Sequence, residues 1–465
     1  MKLYAAALDF RPIAEEFNIP TVFPDDLVDA AAQATDRFAD QRRDARDIAF
    51  VTIDPAGSRD LDQAVHIEAR GTGYRVHYAI ADVAAFIEPG SSLEAESLRR
   101  GQTIYLPDEP ARLHPAPLSE GSASLLPDVD RPAVLWSIDL DDAGEVMDVQ
   151  VERVTVRSVA KLDYDGVQAD LDAGRMHPSI ELLPAVGRLR QESSLRREAI
   201  NLRIPSQRVE RGVDGRYELV IEPRPDVMDY NSEISLLTGM CAGQMMVAHG
   251  RGLLRTLRPA TPEGEAEFRF EVRALGFPLA DADSISRFLA GVDATSAAGM
   301  AVMREAQKLL RGSGYGRVEN GGAEVHAGVG GHYAHVTAPL RRLVDRFATE
   351  YCLAIAGGYE VPEWVLARAD AVVDAMHRTS QFANSVDRAC LRLTEATVLA
   401  PWLGHNFDAT ILHTDGQERR ARLFVHEPPV FGESLGAPEE GTRTSVSLIR
   451  ADVGTREVQF AWPAD

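Results

Sequence analysis

Around residue 58 the chain reads Thr-Ile-Asp-Pro-Ala-Gly-Ser-Arg-Asp-Leu-Asp-Gln, which places the carboxylates Asp54, Asp60 and Asp62 in one short stretch followed by the amide of Gln63. In an extended segment residues i and i+2 share a face, so Asp60 and Asp62 are expected to point at one locus while Asp54 approaches from a strand end. Like charges at short range do not all stay ionised unless a proton or a metal neutralises them. Oxygen-only ligands select a hard cation, Mg²⁺ or Mn²⁺. The same letters also fit a solvated Gly/Ser turn that binds nothing. A second signal is Thr337-Ala-Pro-Leu-Arg-Arg-Leu. Thr337 fits an N-cap, Pro339 a first turn, and Leu340, Leu343, Val344 and Phe347 the apolar stripe of a helix. Arg341 would then sit where free N–H groups already favour phosphate. By spacing alone it fits equally well a surface pair with Asp345.

These groups need a scaffold. The apolar run from Ile48 to Ile53 and the alternation of Tyr74, Val76 and Tyr78 before Ile80 read as strands bracketing the Asp-bearing loop, with Gly71 and Gly73 supplying a turn. Residues 1–46 carry a helical pattern that opens at Pro24-Asp25-Asp26, with Leu27, Ala30, Ala31 and Phe38 on one side. Residues 47–392 mix helical and strand patterns, an α+β body. In residues 393–465, short β-runs at Phe407 to His413, Arg420 to His426, Thr442 to Ile449 and Glu457 to Trp462 predict a small barrel. Phe407 and Phe424 with Arg419, Arg420 and Arg422 fit an aromatic and basic face for single strands, and a core position fits either Phe as well.

A chain of 465 residues exceeds what one hydrophobic core usually serves. Acidic residues outnumber basic ones 71 to 49, a net charge of −22, which excludes a protein that coats nucleic acid by bulk charge. Any polyanion must be met locally. The 3 cysteines, Cys241, Cys352 and Cys390, lack the spacing of a disulfide framework or a zinc site. No apolar run reaches membrane-span length and no secretory h-region opens the chain, so a soluble, cytoplasmic, monomeric protein without membrane partners is expected.

Longer text around the carboxylates narrows the reading. FVTIDPAGSRDLDQAVHI, YAIADVAAFIEPGSSLEAESLRRGQTIYLP, LHPAPLSEGSASLLPDVDRPAV, DYNSEISLLTGMCAGQ and HAGVGGHYAHVTAPLRRLVDRF resemble, in that order, the RNB catalytic domain of the ribonuclease II/R family. The resemblance runs from about Phe50 to Phe347, and the C-terminal β-runs are similar to the S1-type OB fold that ends such chains. It implies Mg²⁺-dependent, processive 3′→5′ hydrolysis of RNA to nucleoside 5′-monophosphates. Single-stranded RNA is the implied substrate, structured RNA with a 3′ overhang a further one, and a catalytically impaired RNA-end-binding homologue the alternative.

Carried over residue by residue, the family pattern makes Asp54, Asp60 and Asp62 metal ligands, two ions being expected in the active complex. Asp62 additionally positions the metal and its water. The fourth acid of the pattern falls on Gln63, an amide of weaker attraction. Arg341 matches the arginine that stabilises developing phosphoryl charge, with Arg342 beside it. Tyr105, in TIYLP, matches the aromatic that stacks on the 3′-terminal base and is read as the end of a strand. Glu233 matches an acid lining the channel near the ribose, and Tyr333 and His335 match aromatic positions ahead of the arginines. Leu343 replaces a usual tyrosine. Family members carry two N-terminal cold-shock domains, for which the residues before Phe50 leave no room.

Overall fold

The computed structural model describes residues 4–5, 8–107, 109–202, 206–211, 217–222, 224–310, 312–320, 324–415 and 420–463. Strand β1 (Tyr4–Ala5) and helices α1 (Arg11–Glu16) and α2 (Asp25–Gln33) come first, α2 starting at the Pro24-Asp25-Asp26 signal. Strands β2 (Arg43–Asp44), β3 (Phe50–Asp54), β4 (Gln63–Arg70) and β5 (Gly73–Ala81) follow, then α3 (Ser92–Arg100), β6 (Asp130–Leu140) and β7 (Val146–Asp163). These strands form a six-stranded sheet ordered β2-β7-β3-β4-β5-β6, and β6 pairs with β7 as well. The length of β7 makes this closure geometrically simple. Its first part pairs antiparallel with β6 up to Asp130↔Arg157, and its last residues run parallel to β3, from Phe50↔Ser158 to Asp54↔Asp163.

Strand β4 is an addition to the sequence expectation, which placed only a loop between β3 and β5. Gln63 heads this strand, paired with Ile80, because Ala64, Val65 and Ile67 bury against the sheet core. At the β4–β5 turn a side chain on Gly73 would lie 1.9 Å from the Leu140 carbonyl oxygen, so the close approach of β6 demands glycine there.

Helices α4 (Tyr164–Asp172) and α5 (Leu183–Arg196), strands β8 (Ser206–Arg211) and β9 (Tyr217–Glu222), and helix α6 (Asp226–Ala248) come next. They are followed by β10 (Leu253–Thr256), α7 (Pro262–Ala274), α8 (Ile285–Gly291), α9 (Ala297–Ala306), β11 (Gly314–Arg317), α10 (Leu343–Gly357) and α11 (Glu363–Leu399). One core joins the sheet, through Val51, Tyr78 and Trp136, to α6, α10 and the first half of α11. Gly239 and Gly243 of α6 let the backbone at 332–334 lie flat on that helix, since a Cβ at either would come within 2.7 Å of it. None of the helices among the described residues is long and apolar enough to cross a membrane. Cys241, Cys352 and Cys390 are buried thiols outside any disulfide.

Strands β12 (Asn406–Asp415), β13 (Arg420–His426), β14 (Pro429–Leu435), β15 (Arg443–Asp452) and β16 (Glu457–Ala461) close into a barrel ordered β12-β13-β14-β16-β15. Strand β14 is the one the β-runs did not reveal. Residue 393 lies inside α11, whose Val398 and Leu399 belong to the barrel core.

Candidate active site

Asp54 sits at the end of β3, beside Asp163 of β7. The stretch from Pro55 to Asp62 is fixed by its backbone. The Ser124 hydroxyl accepts from the Leu61 N–H at 2.9 Å and donates to the Arg59 carbonyl at 2.6 Å. Leu125 N–H donates to the Leu61 carbonyl at 3.0 Å and Ala81 N–H to the Asp62 carbonyl at 2.9 Å. Lys161 on β7 donates to the Ser58 carbonyl. The loop therefore holds its shape while leaving the side chains of Asp54 and Asp60 unspent.

Asp62 is the most buried of the three, at 5% exposure. Its Oδ1 accepts from the Leu340 N–H at 2.8 Å, and Arg341 Nε lies 3.5 Å from its Oδ2. Burial pushes the Asp62 carboxyl up to about 8, against the pull of Arg341 and of the Leu340 N–H. Asp54 is pushed up to about 6, again chiefly by burial, with Arg341 and Lys161 opposing and Asp60 reinforcing. Both carboxylates lack sufficient positive charge, which is the electrostatic signature of a site that receives a cation.

The convergence expected from the i, i+2 spacing is only partial. Among the described residues no group of three or more His, Cys, Asp or Glu side chains is close enough to hold a metal ion. Residues 60–62 are not an extended strand, because Leu61 is drawn onto Ser124 and Leu125. Hard oxygen donors with raised proton affinity still fit Mg²⁺, which is commonly held by one or two carboxylates and completed by water and substrate phosphate. An all-protein cage is not what these residues form. Gln63 engages both ends of its amide with protein groups: its Nε2 donates to the Thr337 carbonyl at 2.5 Å and its Oε1 accepts from the Tyr78 hydroxyl at 2.9 Å.

Arg341 precedes helix α10 instead of sitting in its first turn. Residues 339–341 form a turn, and Asp345 braces it from within the helix, its Oδ1 accepting from the Ala338 N–H at 2.6 Å. Asp345 also pairs with Arg342, at 2.9 and 2.8 Å. The expected alternative of an Arg341–Asp345 pair is thereby replaced: Arg342 is the structural partner, and Arg341 turns to Asp62. The turn is stitched to the 101–103 segment by Thr103 N–H to the Arg341 carbonyl and Leu343 N–H to the Gly101 carbonyl, both at 2.9 Å. Arg341 keeps 44% of its side chain exposed, free to meet a phosphate.

Tyr105 is half exposed, at 51%, and its hydroxyl meets Arg341. It lies in a loop, not at the end of a strand, because only Ile104 bridges back, to Ala111. Glu233 on α6 is buried, with Asn201 Nδ2 at 3.4 Å, and burial pushes it up to about 7 while Arg190 and Arg197 pull it down. Tyr333 and His335 belong to a ring cluster: their centroids are 5.5 Å apart, and the Tyr315 hydroxyl is 3.0 Å from His335 Nδ1. Burial holds the His335 imidazole well below its ordinary value, so it stays neutral. Two residues carried no signal in the sequence, Ser124 and Tyr78; a serine in a loop and a tyrosine in a strand acquire these duties only through tertiary contact.

In the barrel, Phe407 and Phe424 are core residues at 4% and 0% exposure, not a stacking face. Arg422 likewise does not face outward. It pairs with Glu271 on α7 and lies 3.1 Å from Glu305 on α9, docking β13 onto the body. Arg420 is exposed at the head of β13, and Arg419 lies outside the described residues.

A curled mixed sheet that presents a carboxylate loop to an arginine turn, followed by a closed barrel, defines an RNB-type body with an S1-type appendage. Residues 42–351 match the RNB domain and residues 405–462 the RNase II-type exonuclease C-terminal S1 domain. The chain belongs to the RNB family. It is 28% identical over 358 residues to ribonuclease R of Chlamydia trachomatis, covering 73% of this chain and 51% of that protein. The chain thus spans about half the length of that relative. In fold it is similar to Mycoplasma genitalium RNase R in complex with ribose methylated single-stranded RNA, with a TM-score of 0.84 at 18% identity over 97% of this chain and 77% of that one. It is also similar to yeast Ssd1, a pseudonuclease, with a TM-score of 0.66 at 15% identity over 92% of this chain and 58% of that one.

Proposed function

We propose that the chain is a Mg²⁺-dependent 3′→5′ exoribonuclease that releases nucleoside 5′-monophosphates processively, acting as a cytoplasmic monomer. The observation that carries this reading is the pairing of a buried, proton-retaining Asp62 with a half-exposed Arg341, next to the exposed ring of Tyr105. Asp54, Asp60 and Asp62 would hold Mg²⁺ with water and phosphate completing its shell, and the ion would supply Lewis acidity to the phosphoryl group and lower the pKa of bound water. Arg341 offers two N–H groups to the phosphoryl oxygens as their charge grows, and Leu340 N–H keeps Asp62 turned toward the same locus. Tyr105 stacks on the terminal base, a sequence-tolerant contact of roughly 1–3 kcal/mol. His335, held neutral, lines the approach and acts as no base. A 3′ overhang threaded to Tyr105 draws base pairs apart at the mouth, so duplexes with overhangs are degraded more slowly than free strands.

Two observations favour a second reading, an RNA-end-binding homologue without hydrolysis: the amide of Gln63 stands where the family pattern has a carboxylate, and among the described residues no three acids close on one point. A 5′-labelled single-stranded RNA incubated with Mg²⁺ or with EDTA separates the two. A Mg²⁺-dependent ladder shortening from the 3′ end supports the enzyme. Intact RNA with a mobility shift supports the binder.

A further inference from the structure

Asp62 and Gln63, neighbours in sequence, grip the same segment at two points. Asp62 accepts from the Leu340 N–H, and Gln63 donates to the Thr337 carbonyl. A carbonyl only accepts, so the Gln63 amide is oriented by that bond, and its oxygen is left for the Tyr78 hydroxyl. Tyr78 on β5 in turn lies 2.7 Å from the Ser235 hydroxyl on α6. One turn earlier on α6, Asn231 Nδ2 reaches the Tyr164 hydroxyl at 3.1 Å. The head of β4, strand β5, the arginine turn and α6 are therefore tied by a short polar relay through Gln63 and Tyr78, and Asn231 separately ties α6 to the head of α4.

We infer that Gln63 is not a fourth metal ligand but a positioning residue, an amide clasp that sets the distance between the carboxylate loop and the Arg341 turn through Thr337 and Tyr78. The inference rests on the exoribonuclease reading for its consequence and on the hydrogen bonds alone for its geometry. Only a group that both donates and accepts can make these two contacts. A carboxylate of the same length presents an oxygen to the Thr337 carbonyl oxygen and pushes the turn away. Restoring the acid of the family pattern at this position therefore damages this chain.

The test uses the full chain carrying Gln63→Glu, Gln63→Asp or Tyr78→Phe, with thermal melting to select conditions in which each is folded. Gln63→Glu is expected to lower kcat at least tenfold at saturating Mg²⁺, with KM for RNA and the half-saturating Mg²⁺ concentration within twofold of wild type. Tyr78→Phe, which keeps the ring, is expected to lower kcat by a few-fold in the same pattern. Amide hydrogen exchange of peptides spanning 337–342 is expected to quicken in both. Mn²⁺ binding without RNA, followed by electron paramagnetic resonance, is expected to stay within twofold. A carboxylate at 63 that tightens Mn²⁺ or lowers the Mg²⁺ requirement severalfold would overturn the inference, as would unchanged exchange at 337–342. Should the wild type leave RNA intact, the exoribonuclease reading falls, and the exchange measurement still decides whether the clasp exists.

Discussion

Two clusters of charge in this molecule contain the same ingredients and do opposite things. At the junction of body and barrel, Glu271 and Glu305, 1% and 4% exposed, face two cations: Lys308 lies 2.8 and 2.5 Å from them, and Arg422 closes the set. Two acids there meet two cations inside the protein, although burial and the neighbouring Glu305 still push the Glu271 carboxyl up, and the cluster serves as a joint. At the carboxylate loop, Asp54 and Asp62 have Arg341 as their chief cation, 3.5 Å from Asp62 and directed as much to solvent as to the acid. Charge is left over, and the remainder is what a metal ion and a phosphate can claim. Acidic residues alone do not make a site; uncompensated ones do.

The largest effect expected from this contrast is at Asp62. Asp62→Asn keeps the Leu340 hydrogen bond within reach but removes the charge, and should nearly abolish hydrolysis with RNA affinity kept or raised; retention of more than about a tenth of wild-type kcat, a change of only ~1.4 kcal/mol, would count against that role. Single-turnover hydrolysis beside a filter-binding isotherm checks both halves. Next comes Arg341→Ala, expected to lower kcat about 100-fold as the loss of one donor to a developing oxyanion does, while the melting midpoint stays near wild type. Arg342→Ala reverses that pattern: Asp345, fully buried, loses its partner, and stability should fall by roughly 3–5 kcal/mol. If the two arginines gave matching profiles, the division between chemistry and architecture drawn here would fail.

At the joint, Arg422→Ala leaves Glu271 and Glu305 with Lys308 alone, so chemical denaturation should begin earlier and the barrel should loosen. Cleavage of short single strands should change by less than twofold. A further effect concerns pH. Asp54 and Asp62 hold protons up to about 6 and 8 in the folded chain, against 3.8 unfolded, so the native state binds more protons across that window. Stability of the metal-free protein should therefore decline as pH rises from about 4 to 8. Mg²⁺ should offset part of that decline and Asp62→Asn should flatten it; melting curves in EDTA and in Mg²⁺ that run parallel across pH would count against the loop as the cation site.

Much of the plan was legible from side-chain order alone. The α2 start, the β3 and β5 strands and the barrel follow from local signals that tertiary contacts reinforce, whereas Asp54, Asp60, Asp62 and Arg341 are singled out by the family resemblance, spacing alone fitting a solvated turn and a surface pair as well. The failures share a cause. Strand β4 was hidden because Gln63, His66 and Glu68 interrupt its apolar positions, and only pairing with β5 makes the run a strand. Helix α10 starts at Leu343 because Asp345, a residue read only as a surface partner, reaches back to Ala338. Arg422 read as an RNA contact because nothing in its neighbourhood announces acids more than a hundred positions away. Local periodicity states which residues want burial, not which distant group will satisfy a charge.

Helix α11 has a mechanical consequence. Its 37 residues make a rod about 55 Å long at ~1.5 Å per residue. The near end, through Val365, Val372 and Met376, is set in the same core as α10, and the far end, through Val398 and Leu399, is set in the barrel core. A rod cemented at both ends works as a beam, not a tether. Load placed on the barrel travels along it to α10 and to the arginine turn that α10 anchors, with no soft joint on the way to absorb it. Severing it at residue 393 would leave two exposed stumps, each missing part of its foundation, so the barrel and the body are poor candidates for separation there.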